Sequence, residues 1–465
     1  MLFSSIPFLY DFLPIMLGAY FVCPQRFRNA VLLFFSLGFY GWGEPKFVWF
    51  MLLSILQGYV CGLLAERWRA APRLARLPLF ASLCLSLGLL GWCKYAAFFA
   101  RTLAGLTGWA VPAVQAVLPI GISFYTFQIL SYVIDVTRGT VPAQKNLVDL
   151  AAYIAMFPQL IAGPIVRYSD VQTALRARHP SRHDLAAGLG RFVVGLSKKV
   201  LLANTLYALV SQFKAASQRT VLFCWLYAAG YVLHLYFDFS GYSDMAIGLG
   251  RVLGFRFPEN FDYPYISRSV TEFWRRWHKT LGGWFRDYVY IPLGGNRVKR
   301  AKWIRNILIV WALTGLWHGA AWNFVIWGLL FAVLLLAEKF FLGAILQKSR
   351  VLAHSYVVLI VLGSFVLFDS DSVLTALGVW AGMAGAAGLP LADTLSLYCL
   401  RSFAVLLLVG AVGATPAPKQ LWQTLEKHAP ALTAVLAPVG LTFLLLLDTA
   451  FLVDGSFNPF LYFRF

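Results

Sequence analysis

Runs of about 20 mostly apolar residues, the length a helix needs to cross a bilayer at ~1.5 Å rise per residue, recur from one end of this sequence to the other. Clear runs fall near 6–23, 46–64, 77–93, 116–135, 220–240, 321–342, 351–368, 396–414 and 431–452. Shorter or glycine-interrupted ones fall near 29–42, 96–111, 147–166, 184–212 and 305–317. Inside hydrocarbon every backbone polar group needs an internal partner, so runs of this kind specify helices. The expected fold is an all-α polytopic membrane protein of about 11–13 helices, some re-entrant or interfacial, forming one domain over residues 1–465. Composition agrees: 60% of the 465 residues are hydrophobic and 16% aromatic, far beyond what a soluble surface tolerates.

The formal charge of +19 lies in short loops between the apolar runs and forms no separate basic domain. That distribution argues against a nucleic-acid partner. Arg26 and Arg28 follow the first run, and Arg67, Arg69, Arg73 and Arg76 outnumber Glu66 after the third. Counting Lys and Arg places both loops in the cytoplasm and the N-terminus outside. No basic stretch precedes the first apolar run, which therefore reads as a retained helix and not as a cleaved signal. The six cysteines are scattered without CxxC spacing, mostly inside apolar runs, and suggest packing; no metal site is expected.

Three zones place polar residues, Gly or Pro where apolar helix would otherwise continue. Pro158 to Tyr168 holds two prolines and a glycine, a broken helix of the kind tolerated at membrane depth only under a cover of protein or in a watery cavity. Phe237-Asp238-Phe239-Ser240-Gly241-Tyr242-Ser243-Asp244 puts two carboxylates and two serine hydroxyls, with a tyrosine, between apolar stretches, either satisfying one another at a helix break or contacting substrate. In the third zone, Ser269-Val270-Thr271-Glu272 has the form of a capping box, and Phe273, Trp274, Trp277, Leu281, Trp284 and Phe285 recur at helical spacing. The spacing predicts an amphipathic interfacial helix with Arg275, Arg276, Lys279 and Arg286 on its cationic side. His278 falls in the row Trp274, His278, Leu281, Phe285, on the aromatic side and away from bulk water.

His318 follows in Gly315-Leu316-Trp317-His318-Gly319, between long apolar runs. The 13 residues from Arg305 correspond to about 20 Å of helix, enough to carry His318 well into a hydrocarbon core about 30 Å thick. A titratable group at that depth is a functional candidate by default. A rim of arginines suits a phosphate-bearing donor, because guanidinium pairs phosphate bidentately, and a deep histidine suits proton transfer. His179 and His183 sit among Arg176, Arg178 and Arg182 and read as a solvated face; His234, between apolar neighbours, reads as a packing or hydrogen-bonding residue. A polar-solute transporter would also put broken helices and carboxylates such as Asp238 in the membrane, but it calls for a second, symmetric copy that the sequence does not display. A membrane scaffold needs no histidine at depth.

Glu272-Phe273-Trp274-Arg275-Arg276-Trp277-His278, Trp284-Phe285-Arg286-Asp287-Tyr288 with Leu293-Gly294-Gly295-Asn296-Arg297, and Leu316-Trp317-His318-Gly319 resemble the membrane-bound O-acyltransferase (MBOAT) family. Pro158 to Tyr168, Tyr236 to Gly248, the opening Met1-Leu2-Phe3-Ser4-Ser5 and the closing Phe460-Leu461-Tyr462-Phe463-Arg464-Phe465 are similar to its bacterial alginate O-acetyltransferase (AlgI-like) branch, so the resemblance spans nearly the whole chain. It implies a helical ring around a thin core, with residues 268–318 as the catalytic segment. It also implies His318 and His278 as catalytic residues, with Arg275, Arg276, Trp317, Asn323 and Asp238 as candidates for donor or acceptor binding. It further implies acetyl-CoA or another acyl thioester as donor with no bound cofactor, a polysaccharide acceptor, an exported SGNH-type acetyltransferase partner, contact with membrane lipid, and residence in the bacterial inner membrane. The D-alanyl transfer branch that serves teichoic acids shares the Trp-His-Gly and Arg-Arg-Trp-His features and is the nearest alternative.

Overall fold

The computed structural model describes residues 2–109, 117–161, 163–386 and 388–455. The runs read near 96–111 and 116–135 lie partly, and the closing string Phe460–Phe465 wholly, outside the described residues, as does Met1 of the opening string. The described residues form helices and no strands. Among the described residues, eight helical stretches are long and apolar enough to cross a bilayer: Pro45–Arg67, Pro72–Thr107, Arg182–Ala215, Val221–Val252, Trp322–Leu346, Arg350–Asp369, Thr394–Gly413 and Pro430–Asp454. Pro7–Val22 and Val373–Met383 are shorter apolar helices. The chain is thus an all-α, multi-pass membrane protein.

The described residues fall into two compact units, one within 2–192 with 245–258, the other within 193–244 with 259–455. To the first belong α1 (Leu13–Val22), α2 (Arg28–Gly43), α3 (Val48–Arg67), α4 (Pro72–Leu90), α5 (Ala96–Thr107), α6 (Ile122–Arg138), α7 (Leu147–Ala155), α8 (Phe157–Leu160), α9 (Tyr168–Arg176) and most of α10 (Arg182–Ser197). To the second belong α11 (Asn204–Ala215), most of α12 (Val221–Val252), α13 (Val270–Arg276), α14 (Lys279–Phe285), α15 (Arg300–His318), α16 (Trp322–Ala337), α17 (Gly343–Leu346), α18 (Arg350–Asp369), α19 (Val373–Met383), α20 (Thr394–Gly413), α21 (Ala417–His428) and α22 (Pro430–Asp454).

In the first unit the break at Pro158 is present and several of its polar groups find partners inside the protein. Phe157 N–H donates to Ser36 Oγ at 3.2 Å, Tyr153 Oη donates to the Val166 carbonyl at 2.9 Å, and the buried Gln159 amide donates to the Tyr153 carbonyl. That is the condition under which irregular backbone survives in an apolar setting. The run near 77–93 and the part of the next run up to Thr107 are one continuous helical stretch, joined through a wide turn at Gly91–Tyr95. Lys94 interrupts the apolar pattern without interrupting the backbone. Arg178 departs from the expected solvated face: His179, His183, Arg176 and Arg182 are exposed, but Arg178 is buried. Its guanidinium donates to Tyr20 Oη (2.6 Å), the Leu253 carbonyl (3.1 Å), Asn29 Oδ1 (2.6 Å) and the Ala174 carbonyl (3.1 Å), which compensates its loss of water.

In the second unit, residues 237–244 do not break a helix. They lie inside α12, 32 residues long. Lys199 pairs with Asp238, both fully buried, and Lys198 Nζ donates to Asp244 at 2.6 Å, so both carboxylates are neutralised sideways and the backbone runs on. α15 and α16 form a hairpin whose backbones nearly touch. A Cβ on Gly315 would collide with the Phe324 carbonyl, and one on Gly328 with the Trp311 carbonyl. Small residues at such a crossing are the usual device for packing helices where lipid is no worse a solvent than a neighbouring helix.

Candidate active site

Ser269 caps α13, its Oγ accepting from Glu272 N–H at 2.9 Å. The reciprocal half of the expected box is displaced by one residue, because the Glu272 carboxylate accepts from Arg268 N–H (2.9 Å). The next two backbone donors go elsewhere. Glu338, buried just past α16, accepts from Val270 N–H, Thr271 N–H (2.9 Å) and Thr271 Oγ1 (2.7 Å) and so docks the start of α13.

The expected continuous amphipathic helix is interrupted. α13 ends at Arg276, α14 begins at Lys279, and between them His278 adopts the left-handed conformation at φ 44°, ψ 52°. Asn260, fully buried, accounts for the interruption. Its main-chain carbonyl accepts from Lys279 N–H at 2.9 Å, and its side-chain Oδ1 accepts from Thr280 Oγ1 (2.9 Å), Thr280 N–H (3.4 Å) and His278 Nδ1 (2.9 Å). Its amide nitrogen donates to Ser243 Oγ on α12 at 3.1 Å. Five bonds to one side chain and its carbonyl outweigh the ~1–2 kcal/mol that a left-handed L-residue costs.

Because Asn260 Oδ1 can only accept, His278 carries its proton on Nδ1 and leaves Nε2 as a lone-pair acceptor. Nε2 is buried, has no hydrogen-bond partner among the described residues, and belongs to a ring that lines a cavity of about 260 Å³. Trp274, Leu281, Phe285 and Trp311 wall the cavity with apolar surface, and Arg286 stands at its exposed rim, held bidentately by Asp287 (2.6 and 3.1 Å). His278 lies outside the eight spanning stretches, and burial pushes its imidazole down to about 3, so it is neutral at physiological pH.

One face of α15 completes the cavity through Ile307, Val310, Trp311 and Thr314. His318 is four residues beyond Thr314 on that face, the last residue of the helix, and 2% exposed. Its ring meets Trp317, Trp327 and Phe368 edge-on at centroid separations of 5.0, 5.2 and 5.4 Å. Trp317 also lies 5.9 Å from His278. His278, Trp317 and His318 are therefore gathered in one aromatic cluster.

The other candidates are placed differently. Arg275 is exposed, while Arg276 braces the local chain, donating to Glu272 (2.9 Å) and to the Asp262 carboxylate (3.2 Å) and carbonyl (3.1 Å). Asn323, at the start of α16, donates to the Ser370 carbonyl at 2.9 Å and ties α16 to the end of α18. Asp238 is engaged by Lys199. Sequence reasoning missed Asn260 and Glu338. Glu338 was detectable as a carboxylate in the tail of an apolar run; Asn260 sits in a loop with no pattern to mark it.

Residues 141–368, which hold both histidines and the hairpin, match the sequence model of MBOAT, the membrane-bound O-acyltransferase family. The chain is also 38% identical, over the full length of both sequences, to a protein of Azotobacter vinelandii described as "Probable alginate O-acetylase AlgI". The chain belongs to the membrane-bound O-acyltransferase family. It is accordingly an O-acyltransferase that works on an acyl donor. Among other MBOAT relatives, a Helicobacter pylori peptidoglycan O-acetyltransferase is 32% identical over 84% of this chain and 81% of its own length. A Bacillus subtilis teichoic acid D-alanyltransferase is 34% identical over 48% of this chain and 59% of its own.

Proposed function

We propose that this acyltransferase moves an acetyl group from a cytoplasmic acyl thioester, acetyl-CoA or a similar donor, toward O-acetylation of an extracytoplasmic polysaccharide in the bacterial inner membrane, with the N-terminus outside. The observation that carries the reading is the cavity: an apolar bore with a cation at its rim, His278 Nε2 on its wall and His318 further along the α15 face. A slender thioester arm suits such a bore, and guanidinium at the mouth suits the phosphates at the arm's far end.

His318 acts as general base in this scheme. It takes the proton from the acceptor hydroxyl as that oxygen bonds to the acyl carbon; the carbon–sulfur bond then breaks, the thiolate leaves with the electron pair, and the imidazolium returns the proton to it. An acyl intermediate on His318 gives the same overall balance. His278, neutral and with Nε2 unprotonated, contributes a hydrogen-bond acceptor that orients an N–H or O–H group of a substrate. An unprotonated Nε2 has nothing to donate to a developing oxyanion, so orientation is the role this tautomer suits. Arg275, exposed, is free to meet a phosphate-bearing donor. An exported SGNH-type partner finishes transfer to the polymer.

The test is the ester content of secreted and wall polysaccharides in a deletion strain with and without the wild-type gene. Loss of O-acetyl groups from one polymer, restored by the gene, names the acceptor. Intact acetate together with loss of D-alanyl esters would overturn the acetyl assignment in favour of D-alanyl transfer.

A second test addresses Asn260 and His278. In Asn260→Asp the carboxylate still accepts from Nδ1 but favours the imidazolium, so protonation of His278, read by ¹⁵N chemical shift, is expected to move up by about 1–3 pH units. The rate is expected to fall at the acid end of the profile and to recover as the pH approaches neutral, where Nε2 regains its lone pair. Asn260→Ala is expected to lose rate at every pH. An Asn260→Asp rate profile that superimposes on the wild type would show that the Nε2 lone pair has no part in transfer.

A further inference from the structure

Away from the histidine cluster, a second cavity of about 490 Å³ opens where α13 begins, α16 ends and α18 begins. Three cations from three separate segments converge on it: Arg268 before α13, Lys339 in the wide turn after α16, and Arg350 at the first position of α18. All three are exposed, and none is in an ion pair among the described residues. The one carboxylate on the wall, Glu338, has its oxygens taken by Val270 N–H, Thr271 N–H and Thr271 Oγ1. Three cations against this one carboxylate leave the lining with an excess of positive charge.

Three like charges held around one hollow repel one another unless an anion joins them. We propose that this cavity is a phosphate site, occupied by the headgroup of an anionic phospholipid. Three features favour a lipid as the source. The site sits at the ends of two spanning stretches, Trp322–Leu346 and Arg350–Asp369. Leu346 and Ala353 add apolar wall beside the cations, where the first carbons of an acyl chain would lie. The wide turn after α16 also carries Phe340, over which the Arg300 guanidinium stacks at 4.3 Å, so the site shares its face with the cation-rich start of α15. Arg300, Lys302, Lys339, Lys348 and Arg350 crowd this face, which by the Lys and Arg rule makes it cytoplasmic, where basic pockets between helices collect anionic headgroups. The site is separate from acyl transfer, and none of its three cations lines the cavity at His278.

The experiment uses the full chain, purified and reconstituted in nanodiscs of phosphatidylglycerol or of phosphatidylcholine. Lipid retained through delipidation is read by native mass spectrometry. Wild-type protein is expected to keep phosphatidylglycerol in preference to phosphatidylcholine. The variant Arg268→Gln with Lys339→Gln and Arg350→Gln is expected to lose that preference on the order of a hundredfold, about fivefold per cation. Lys339→Gln alone, on an exposed side chain, provides the reading of about fivefold should the triple variant fold poorly. If the two lipids are retained alike but inorganic phosphate raises the melting temperature of the wild type and not of the variants, the phosphate site stands and its ligand is soluble. Lipid retention and phosphate response both unchanged by the substitutions overturn the proposal.

Discussion

Replacing His318 by alanine or glutamine is expected to lower acyl transfer by roughly 10²–10⁴-fold, the range that a positioned acid–base group contributes. Expression and membrane insertion should remain. Glutamine is the more informative substitution: it preserves much of the volume packed against Trp317, Trp327 and Phe368 while removing a group that can carry a proton through the cycle. The measurement is ester formation per folded protein, with size-exclusion profiles matched. Wild-type-like rates in both variants would remove His318 from the chemistry and leave it a packing residue. Loss in alanine with full activity in glutamine would say the same thing more narrowly, that shape at this position is what counts.

The second large effect concerns folding. Gly328→Leu is expected to destabilise the α15–α16 hairpin by on the order of 3 kcal/mol or to prevent folded protein from accumulating, because its Cβ must occupy space held by the Trp311 carbonyl and approaches the Gly315 backbone nitrogen at 3.1 Å. Backbone cannot rotate away as a side-chain tip can. A thermal-unfolding midpoint in detergent equal to that of the wild type would mean that the two backbones do not approach so closely. Since α15 carries His318 at its last residue and Trp311 on the cavity wall, any leucine variant that does fold is expected to lose activity as well.

Most of the spans were legible because apolar length is a one-dimensional property: a stretch such as 351–368 needs no partner to declare itself, and the helix Arg350–Asp369 follows it closely. Charge inside such stretches misleads in proportion to what pairs with it. Asp238 and Asp244 read as a break and belong to an unbroken helix, because Lys199 and Lys198, some 40 residues earlier, supply the countercharges. The two histidines were visible as types in the wrong chemical setting. What could not be read was the fold of the chain around His278, since the helical spacing of Trp274, His278, Leu281 and Phe285 is intact in the letters. The interruption comes from Asn260, whose five bonds form only once the loop closes on the helix. Period-based reading registers the face a residue occupies, and it was right about burial. It has no access to a tertiary clamp that forces one residue out of helical geometry.

That left-handed residue also says something about how this position can drift. Side chains that tolerate φ near +44° form a short list, with glycine at its head and asparagine, aspartate and histidine next. A lineage that stopped needing the reaction would feel steady pressure at 278 toward glycine or asparagine, which relieve the backbone, while bulky or β-branched replacements would be purged for reasons unrelated to chemistry. Among descendants of such a chain, a histidine kept at this position is a record of continued use, and the residue that succeeds it is a record of disuse.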